Sequence, residues 1–126
     1  MRFQKKIKLL LVDDEIDFLQ TIAERLALND FDVTTASTGR EAIASAENDL
    51  FDVAVVDFQM PGMDGTQVLK ALKERHRYLG IIMLTGHATI DSAVESTKLG
   101  AFKYLEKPYK FENSSSLLRK PTKQGA

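Results

Sequence analysis

The chain has 126 residues, of which 44% are hydrophobic and 28% charged, a composition typical of one globular domain and not of a disordered chain. It has no cysteine and a net charge of −1, which excludes disulfides and thiolate chemistry and gives no global sign of nucleic-acid binding. The apolar run Leu9–Val12 is too short for a signal or membrane segment. We therefore expect a cytoplasmic protein without membrane contact.

Five short apolar runs are typical of β-strands, and amphipathic stretches of helical length separate them. The predicted strands are Ile7–Val12, Phe31–Ala36, Phe51–Val56, Gly80–Leu84 and Phe102–Leu105. Strands that alternate with helices predict β-α-β units and a parallel sheet. The third and fourth strands are continuously apolar, as expected of strands that are covered on both faces.

Four amphipathic stretches lie between the strands. Their apolar residues are Phe18, Ile22 and Leu26, then Ala42, Ile43 and Ala46, then Val68, Leu69 and Leu72, and finally Ile90, Ala93, Val94 and Thr97. Thr38 and Glu41 have the spacing of a capping box, and Gly100 predicts the end of the fourth helix. A short fifth helix is predicted over about 110–118, and residues 113–126 are predicted to form a weakly structured tail.

Polar side chains follow four of the five predicted strands. Asp13 and Asp14 follow the first strand, Asp57 the third, Thr85 the fourth and Lys107 the fifth. In open parallel sheets, ligands bind beyond the carboxyl ends of the strands, at a topological switch point. If the strand order is 2-1-3-4-5, three carboxylates, one hydroxyl and one ammonium share one edge of the sheet.

This set of groups is suited to phosphoryl transfer. Crowded carboxylates repel one another, and Mg²⁺ relieves the repulsion by binding one or two of them while it keeps several waters. A carboxylate neutralised in this way can attack phosphorus as a nucleophile. A lysine and a hydroxyl can then neutralise and orient the phosphoryl oxygens.

Each position taken alone has a simpler explanation. A pair of aspartates at a strand end often only caps the next helix, and Asp57 before Met-Pro-Gly can begin an Asx turn. Thr85 can cap the fourth helix, and Lys107 before Pro108 can be a solvated surface lysine. The conjunction of complementary groups at four separate strand ends favours a site over chance placement.

The sequence around these positions resembles the receiver domain of two-component response regulators over about residues 6–112. The motifs that carry the resemblance are Val12-Asp13-Asp14-Glu15, Asp57-Phe58-Gln59-Met60-Pro61-Gly62-Met63-Asp64-Gly65, Leu84-Thr85-Gly86 and Tyr104-Leu105-Glu106-Lys107-Pro108. The run from Thr85 to Ala101 is more specifically similar to receivers of enhancer-binding transcriptional activators. The resemblance implies an α/β fold with a five-stranded parallel sheet in the order 2-1-3-4-5. This fold is doubly wound and flavodoxin-like, with a short or frayed last helix.

The resemblance also implies roles for the acidic residues. Asp57 would be the phosphoacceptor, and Asp13 and Asp14 would form the acidic pocket. Mg²⁺ would be held by Asp14, Asp57 and the backbone carbonyl of Gln59, with Asp13 acting through water.

Further roles follow from the same resemblance. Thr85 and Lys107 would contact the phosphoryl group, and Thr85 and Tyr104 would form the switch. The switch would remodel the face made by the fourth helix, the fifth strand and the fifth helix. Gln59 and His87 would set the lifetime of the phosphoryl group.

The expected function is that of a receiver that takes a phosphoryl group from a sensor histidine kinase or a small phosphodonor and signals to a downstream effector domain or protein. Such a domain is not an enzyme, because it assists only its own phosphorylation and dephosphorylation. A homodimer through the switch face is a further expectation. We expect no direct nucleic-acid binding by this chain, because too few residues follow Pro108 for a helix-turn-helix.

Other function classes fit the sequence less well. Phosphatases with an aspartate nucleophile typically carry the motif Asp-x-Asp, followed by Thr or Val, after the first strand. The run from Asp13 to Ile16 does not match this motif. Nucleotide and flavin binders need glycine-rich loops, and the turn after the first strand has no glycine. A phosphorylation-independent interaction module with the receiver fold stays open as the alternative, although the presence of all five chemical residues weighs against it.

Overall fold

The computed structural model describes residues 6–86 and 88–107, in which five strands and four helices alternate. The elements are β1 (Ile7–Val12), α1 (Ile16–Leu28), β2 (Phe31–Ala36), α2 (Gly39–Asn48), β3 (Val53–Asp57), α3 (Gly65–Arg75), β4 (Gly80–Thr85), α4 (Ile90–Lys98) and β5 (Lys103–Glu106). The strands are parallel and ordered β2-β1-β3-β4-β5, which confirms the expected fold class. The predicted fifth helix and the tail 113–126 lie outside the described residues.

Helices cover both faces of the sheet. On one face, Leu19, Ile22 and Leu26 of α1 pack against a cluster that includes Leu11 and Val55. On the other face, α2 and α3 enclose a second buried cluster. All five residues of β3 are buried, which explains the continuously apolar sequence of that strand. None of the helices in the described part of the chain is long and apolar enough to span a bilayer.

Three strands have boundaries that differ from the predicted ones. β3 begins at Val53 and not at Phe51. The residue before it, Asp52, bonds to Lys8 of β1 partly through its side chain: its backbone N–H donates to the Lys8 carbonyl and its carboxylate accepts the Lys8 N–H, both at 2.8 Å. β3 also extends to Asp57, β4 extends to Thr85, and β5 is shifted by one residue. Asp57 and Thr85 therefore belong to the strands themselves, so the hydrogen-bonded sheet fixes their positions.

Side-chain caps begin α2, α3 and α4. Thr38 Oγ1 accepts the Glu41 N–H at 3.1 Å, as the predicted capping spacing requires. The Glu41 carboxylate, however, accepts from the backbone N–H and the hydroxyl of Ser37, so the box at α2 is incomplete. A complete capping box between Asp64 and Gln67 starts α3, and each such cap contributes about 1 kcal/mol.

The prediction of which face of α4 is buried was wrong. Ser92 and Ser96 face the sheet, whereas Ile90 is 83% exposed and Val94 is 46% exposed. The helix orientation is set at its first turn, where Ser92 completes a capping box with Thr89. Periodicity of apolar residues missed this orientation because hydroxyl groups, and not apolar side chains, form the buried stripe.

Two glycines determine where helices begin and end. Gly100 has φ +108° and ends α4 as predicted, since only glycine adopts that conformation without strain. Gly65 begins α3 in close approach to β3. A Cβ atom added at Gly65 would lie 2.2 Å from the Asp57 carbonyl oxygen and 2.7 Å from Phe58 Cα. The loop from the end of β3 into α3 therefore closes only around a glycine.

Gly65→Ala is expected to destabilise the protein by roughly 3 kcal/mol, because the new methyl group meets backbone atoms that cannot rotate aside. Gly80→Ala is the matched control, since its Cβ would come no closer than 3.8 Å to the Asp52 carbonyl oxygen. Urea unfolding of both variants measures the two losses. Equal small losses would contradict the close approach at Gly65.

Candidate functional site

The sheet brings the predicted site residues to one edge. The register between β1 and β3 places Asp13 level with Asp57. Thr85 lies one position beyond Asp57 on the neighbouring strand β4, and Lys107 lies one position beyond Thr85 after β5. The side chains that were predicted to converge therefore lie at the carboxyl ends of adjacent strands, at nearly the same height.

Three carboxylates form a cluster at this edge. One carboxylate oxygen from each of Asp13, Asp14 and Asp57 lies within 4.8 Å of the other two. Asp13 is 1% exposed and Asp57 is 5% exposed, whereas Asp14 is partly exposed. Negative charges that are this close and this poorly solvated repel one another strongly.

Asp13 serves both the local turn and the cluster. Its Oδ1 accepts the backbone N–H of Glu15 at 2.9 Å, and its own N–H donates to the Ala36 carbonyl at 3.1 Å. Its Oδ2 lies 2.8 Å from Lys107 Nζ. Asp13 therefore holds the turn that precedes α1 but does not cap the helix, whose N-cap residue is Glu15, and its second oxygen is left for the site.

Lys107 supplies positive charge to the cluster and is not a solvated surface lysine, because its side chain is only 14% exposed. Its Nζ atom lies 3.8 Å from Asp57 Oδ2, in addition to the contact with Asp13. Glu15 Oε1 is 2.7 Å from the same atom, and the centroid of the Phe18 ring is 4.5 Å from it. The ammonium therefore bridges the buried carboxylates and the start of α1.

The other predicted site residues are placed as follows. Thr85 is fully buried at the end of β4, and its carbonyl accepts the backbone N–H of Lys107 at 2.7 Å. The backbone N–H of Gln59 donates to Asp57 Oδ1 at 3.3 Å, while Gln59 itself is exposed. His87 lies outside the described residues.

Tyr104 links the site to α4. Its hydroxyl is hydrogen-bonded to Ser92 Oγ, and its ring meets the Phe58 ring edge-on with centroids 6.1 Å apart. Phe58 directly follows Asp57, so one aromatic side chain contacts both the neighbour of that aspartate and the first turn of α4. The tyrosine is half-buried against the core on this face of the sheet.

The electrostatics of the cluster show an excess of negative charge. Burial, and secondarily the Asp13 charge, raise the pKa of Asp57 to about 7, although Lys107 opposes the shift. Burial also raises the pKa of Asp13. Burial alone would lower the pKa of Lys107, but its hydrogen bonds to Asp13 and Glu15 outweigh this effect, and the pKa is raised.

The donor set fits a hard divalent cation. Mg²⁺ and Ca²⁺ bind carboxylate and carbonyl oxygens, and the cluster offers three carboxylates at one point. The raised pKa of Asp57 comes first from burial and second from the Asp13 charge, and a bound cation would favour the ionised carboxylate against both. The partial exposure of Asp14 suits an ion that retains several waters.

Two contacts of Lys107 were not predicted from the sequence. Glu15 directly follows the aspartate pair, so its position was a visible signal of a further carboxylate at the same edge. Phe18 gave no such signal, because an apolar residue at a helical spacing indicates only a core position. Its contact with an ammonium depends on where the end of β5 meets α1.

The sequence model of the response regulator receiver domain matches residues 9–119. The chain belongs to this family.

The receiver domain is 36% identical over 109 residues to the DNA-binding transcriptional regulator NtrC of Salmonella typhimurium, covering 86% of the chain and 23% of that protein. It is 32% identical over 114 residues to the transcriptional regulatory protein ZraR of Escherichia coli K12, covering 90% of the chain and 26% of ZraR. The chain thus spans about a quarter of the length of these relatives.

Solved structures of receivers share the fold. Vibrio cholerae chemotaxis protein CheY4 is 35% identical and superposes with a TM-score of 0.84, covering 90% of this chain and 96% of CheY4. A response regulator from Burkholderia pseudomallei, 30% identical, superposes with a TM-score of 0.85 and covers 90% of this chain and 66% of that one. That protein was solved with a phosphorylated aspartic acid and a calcium ion.

Without divalent cations, the free energy of unfolding should fall as pH rises toward 7. The native pKa of Asp57, about 7, lies above the ordinary value of 3.8, so between these values the native state binds more protons than the unfolded chain. The substitution Asp57→Asn removes this titrating group and its pH-dependent contribution to the free energy of unfolding. The free energy of unfolding of the variant, relative to that of the wild type, should therefore rise with pH by at most about 1.4 kcal/mol per pH unit.

Urea unfolding in EDTA at pH 5, 6 and 7 measures this difference. Asp32→Asn, the same chemical change at an exposed position of β2, should show no such trend. A difference between Asp57→Asn and the wild type that stays constant across the three pH values would contradict the raised pKa.

Proposed function

We propose that this receiver domain accepts a phosphoryl group on Asp57, with Mg²⁺, and signals through the surface formed by α4 and β5. The donor would be a phosphohistidine of a sensor histidine kinase or a small phosphodonor. The observation that carries the proposal is the buried Asp57 within a cluster of three carboxylates, with the Lys107 ammonium 3.8 Å away. The phosphorylated aspartic acid of the Burkholderia relative supports it.

The chemistry is a displacement at phosphorus. An Oδ atom of Asp57 forms the new bond, the phosphorus–nitrogen or phosphorus–oxygen bond to the donor breaks, and the donor leaves with the electron pair. The Lys107 ammonium and the Thr85 hydroxyl would contact the phosphoryl oxygens, where negative charge is highest. The domain would assist only this transfer and the later hydrolysis, in which water attacks phosphorus, the bond to Asp57 Oδ breaks, and inorganic phosphate leaves the regenerated carboxylate. In that sense it would not be an enzyme.

Mg²⁺ would be held by Asp14, Asp57 and the backbone carbonyl of Gln59, with Asp13 acting through water. When bound, the ion neutralises the carboxylates and the phosphoryl oxygens. The hydrogen bond from the Gln59 backbone N–H to Asp57 Oδ1 keeps the backbone at Gln59 close to that carboxylate. Asp13, held by Glu15 N–H and Lys107, stays in place as a nearby negative charge.

The output would be a change at α4 and β5. A phosphoryl group adds nearly two negative charges and three acceptor oxygens, which would draw Thr85 toward it. Tyr104 would then turn inward and release Ser92 in the first turn of α4. The named relatives are transcriptional regulators, which favours a transcriptional output reached through another domain or protein. Gln59 and His87 would tune the lifetime of the phosphoryl group.

Incubation with acetyl phosphate and Mg²⁺ should add one phosphoryl group to the wild type, because Asp57 is a buried carboxylate with an ammonium beside it. Intact-mass spectrometry detects the adduct, which should be stable in acid and labile in base. Asp57→Asn should give none, because an amide is a poor nucleophile. Asp32→Asn is the matched control and should be modified like the wild type.

An adduct of equal size on the wild type and Asp57→Asn would show that another residue accepts the group. No adduct on a folded wild type, with acetyl phosphate and with phosphoramidate as donors, would favour the phosphorylation-independent interaction module.

Mg²⁺ should raise the melting temperature of the unphosphorylated domain, because it relieves repulsion among the three carboxylates. At ten times Kd, linkage gives about 1.4 kcal/mol, or roughly 5 °C for a domain of this size. Differential scanning calorimetry measures the shift. Asp14→Asn should reduce it and Asp32→Asn should not. A melting curve that does not respond to Mg²⁺ would contradict the metal site.

A further inference from the structure

We propose that Glu15 is a positioning residue that restrains Lys107. Its carboxylate holds the ammonium at the start of α1, and a phosphoryl group on Asp57 must compete with Glu15 for it. This inference rests on the proposed function, because it concerns the lysine of the same site.

The distances show which carboxylates bind the lysine before phosphorylation. Lys107 Nζ lies 2.7 Å from Glu15 Oε1 and 2.8 Å from Asp13 Oδ2, which are hydrogen-bond distances, and 3.8 Å from Asp57 Oδ2, which is not. The ammonium is thus bonded to Glu15 and to Asp13, and not to the phosphoacceptor. Of these two partners, Glu15 alone lies outside the carboxylate cluster.

The local geometry of Glu15 shows that its carboxylate is not needed by the helix. Glu15 is the N-cap residue of α1 and has extended backbone angles, a position from which side chains commonly cap the first turn. Its side chain makes no cap hydrogen bond. The Glu15 carboxylate bonds to Lys107, and the Glu15 backbone N–H donates to Asp13 Oδ1.

A second contact from α1 acts in the same direction. The Phe18 ring lies under Lys107 Nζ at 4.5 Å from its centroid, within the range of a cation–π interaction. Glu15 and Phe18 are both at the beginning of α1. Two attractions of different physical origin therefore hold the ammonium near this helix.

The exposure of the Glu15 side chain determines how strongly its charge should affect the rate of phosphorylation. The Glu15 side chain is 64% exposed, so its ion pair with Lys107 has the modest strength of a surface pair. Breaking such a pair on phosphorylation corresponds to a change of about two- to fivefold in rate. Glu15 is not among the three clustered carboxylates that would hold Mg²⁺, so the ion would leave its contact with Lys107 in place.

Glu15→Gln keeps the shape of the side chain and removes its charge. We expect it to raise the rate of phosphorylation by acetyl phosphate about two- to fivefold at low salt. The gain should shrink as salt is added, because salt screens an exposed charge. Glu24→Gln makes the same charge change further along α1, beside Ala27 and Phe31, and should leave the rate unchanged. An unchanged or lower rate in Glu15→Gln would overturn the proposal.

The same substitution in a Lys107→Met background tests whether Glu15 acts through the lysine. If Glu15 acts by restraining Lys107, Glu15→Gln should not change the phosphorylation rate of the Lys107→Met variant, which is slower than that of the wild type. An equal gain in both backgrounds would mean that Glu15 only repels the anionic donor, and it would overturn the proposal.

A measurement without phosphodonor separates this proposal from the proposed function. In a double-mutant cycle of unfolding, Glu15→Gln should lower the urea midpoint of the wild type and not that of Lys107→Met. Absence of this coupling overturns the contact between Glu15 and Lys107. Coupling together with no adduct on any variant overturns the proposed function, and with it the competition. Coupling and adducts formed at equal rates overturn the restraint alone.

Discussion

The main constraint on this receiver domain is the repulsion among three clustered carboxylates. The Lys107 ammonium compensates part of their negative charge. Asp13 and Asp57 are almost fully buried, and a buried charge is destabilised by the loss of its hydration. One carboxylate oxygen from each of Asp13, Asp14 and Asp57 lies within 4.8 Å of the others. The cluster is tolerated because β1 and β3 are held rigidly between two apolar layers. The electrostatic cost is confined to the strand ends, where a cation or a phosphoryl group can act on it.

The elements around the cluster differ in how firmly they are held. α1, α2 and α3 pack through aliphatic side chains in the two cores, whereas α4 meets the sheet through Ser92 and Ser96. Ser96 Oγ is buried without a hydrogen-bond partner in the described part of the chain, and Ser92 is shared between the helix cap and Tyr104. Among the described residues, apolar burial therefore contributes little to fixing α4. A helix held mainly by a few hydrogen bonds shifts at a lower free-energy cost than a helix packed into an apolar core.

Sequence patterns predicted the fold well where burial follows a simple period. Continuous apolar runs located the central strands, and Val68, Leu69 and Leu72 of α3 are buried as predicted. The pattern failed at α4, because there the outward residues are apolar and the inward ones are serines. Strand ends were also misplaced by one or two residues, since hydrogen bonds between distant segments, such as Asp52 to Lys8, decide where pairing starts.

Residue types and spacings are enough to predict the parallel α/β architecture and the convergence of Asp13, Asp14, Asp57, Thr85 and Lys107, because parallel strands deliver their carboxyl ends to one edge. The contact between Lys107 and Glu15 could not be predicted in this way, because it depends on tertiary packing. Glu15 lies 92 positions from Lys107 in the chain, and no local pattern relates the two. Their contact depends on how α1 packs beside the end of β5, at a scale of a few ångströms that residue types and spacings do not specify. The raised pKa of Asp57 has the same origin, because burial and neighbouring charge exist only after the sheet has formed.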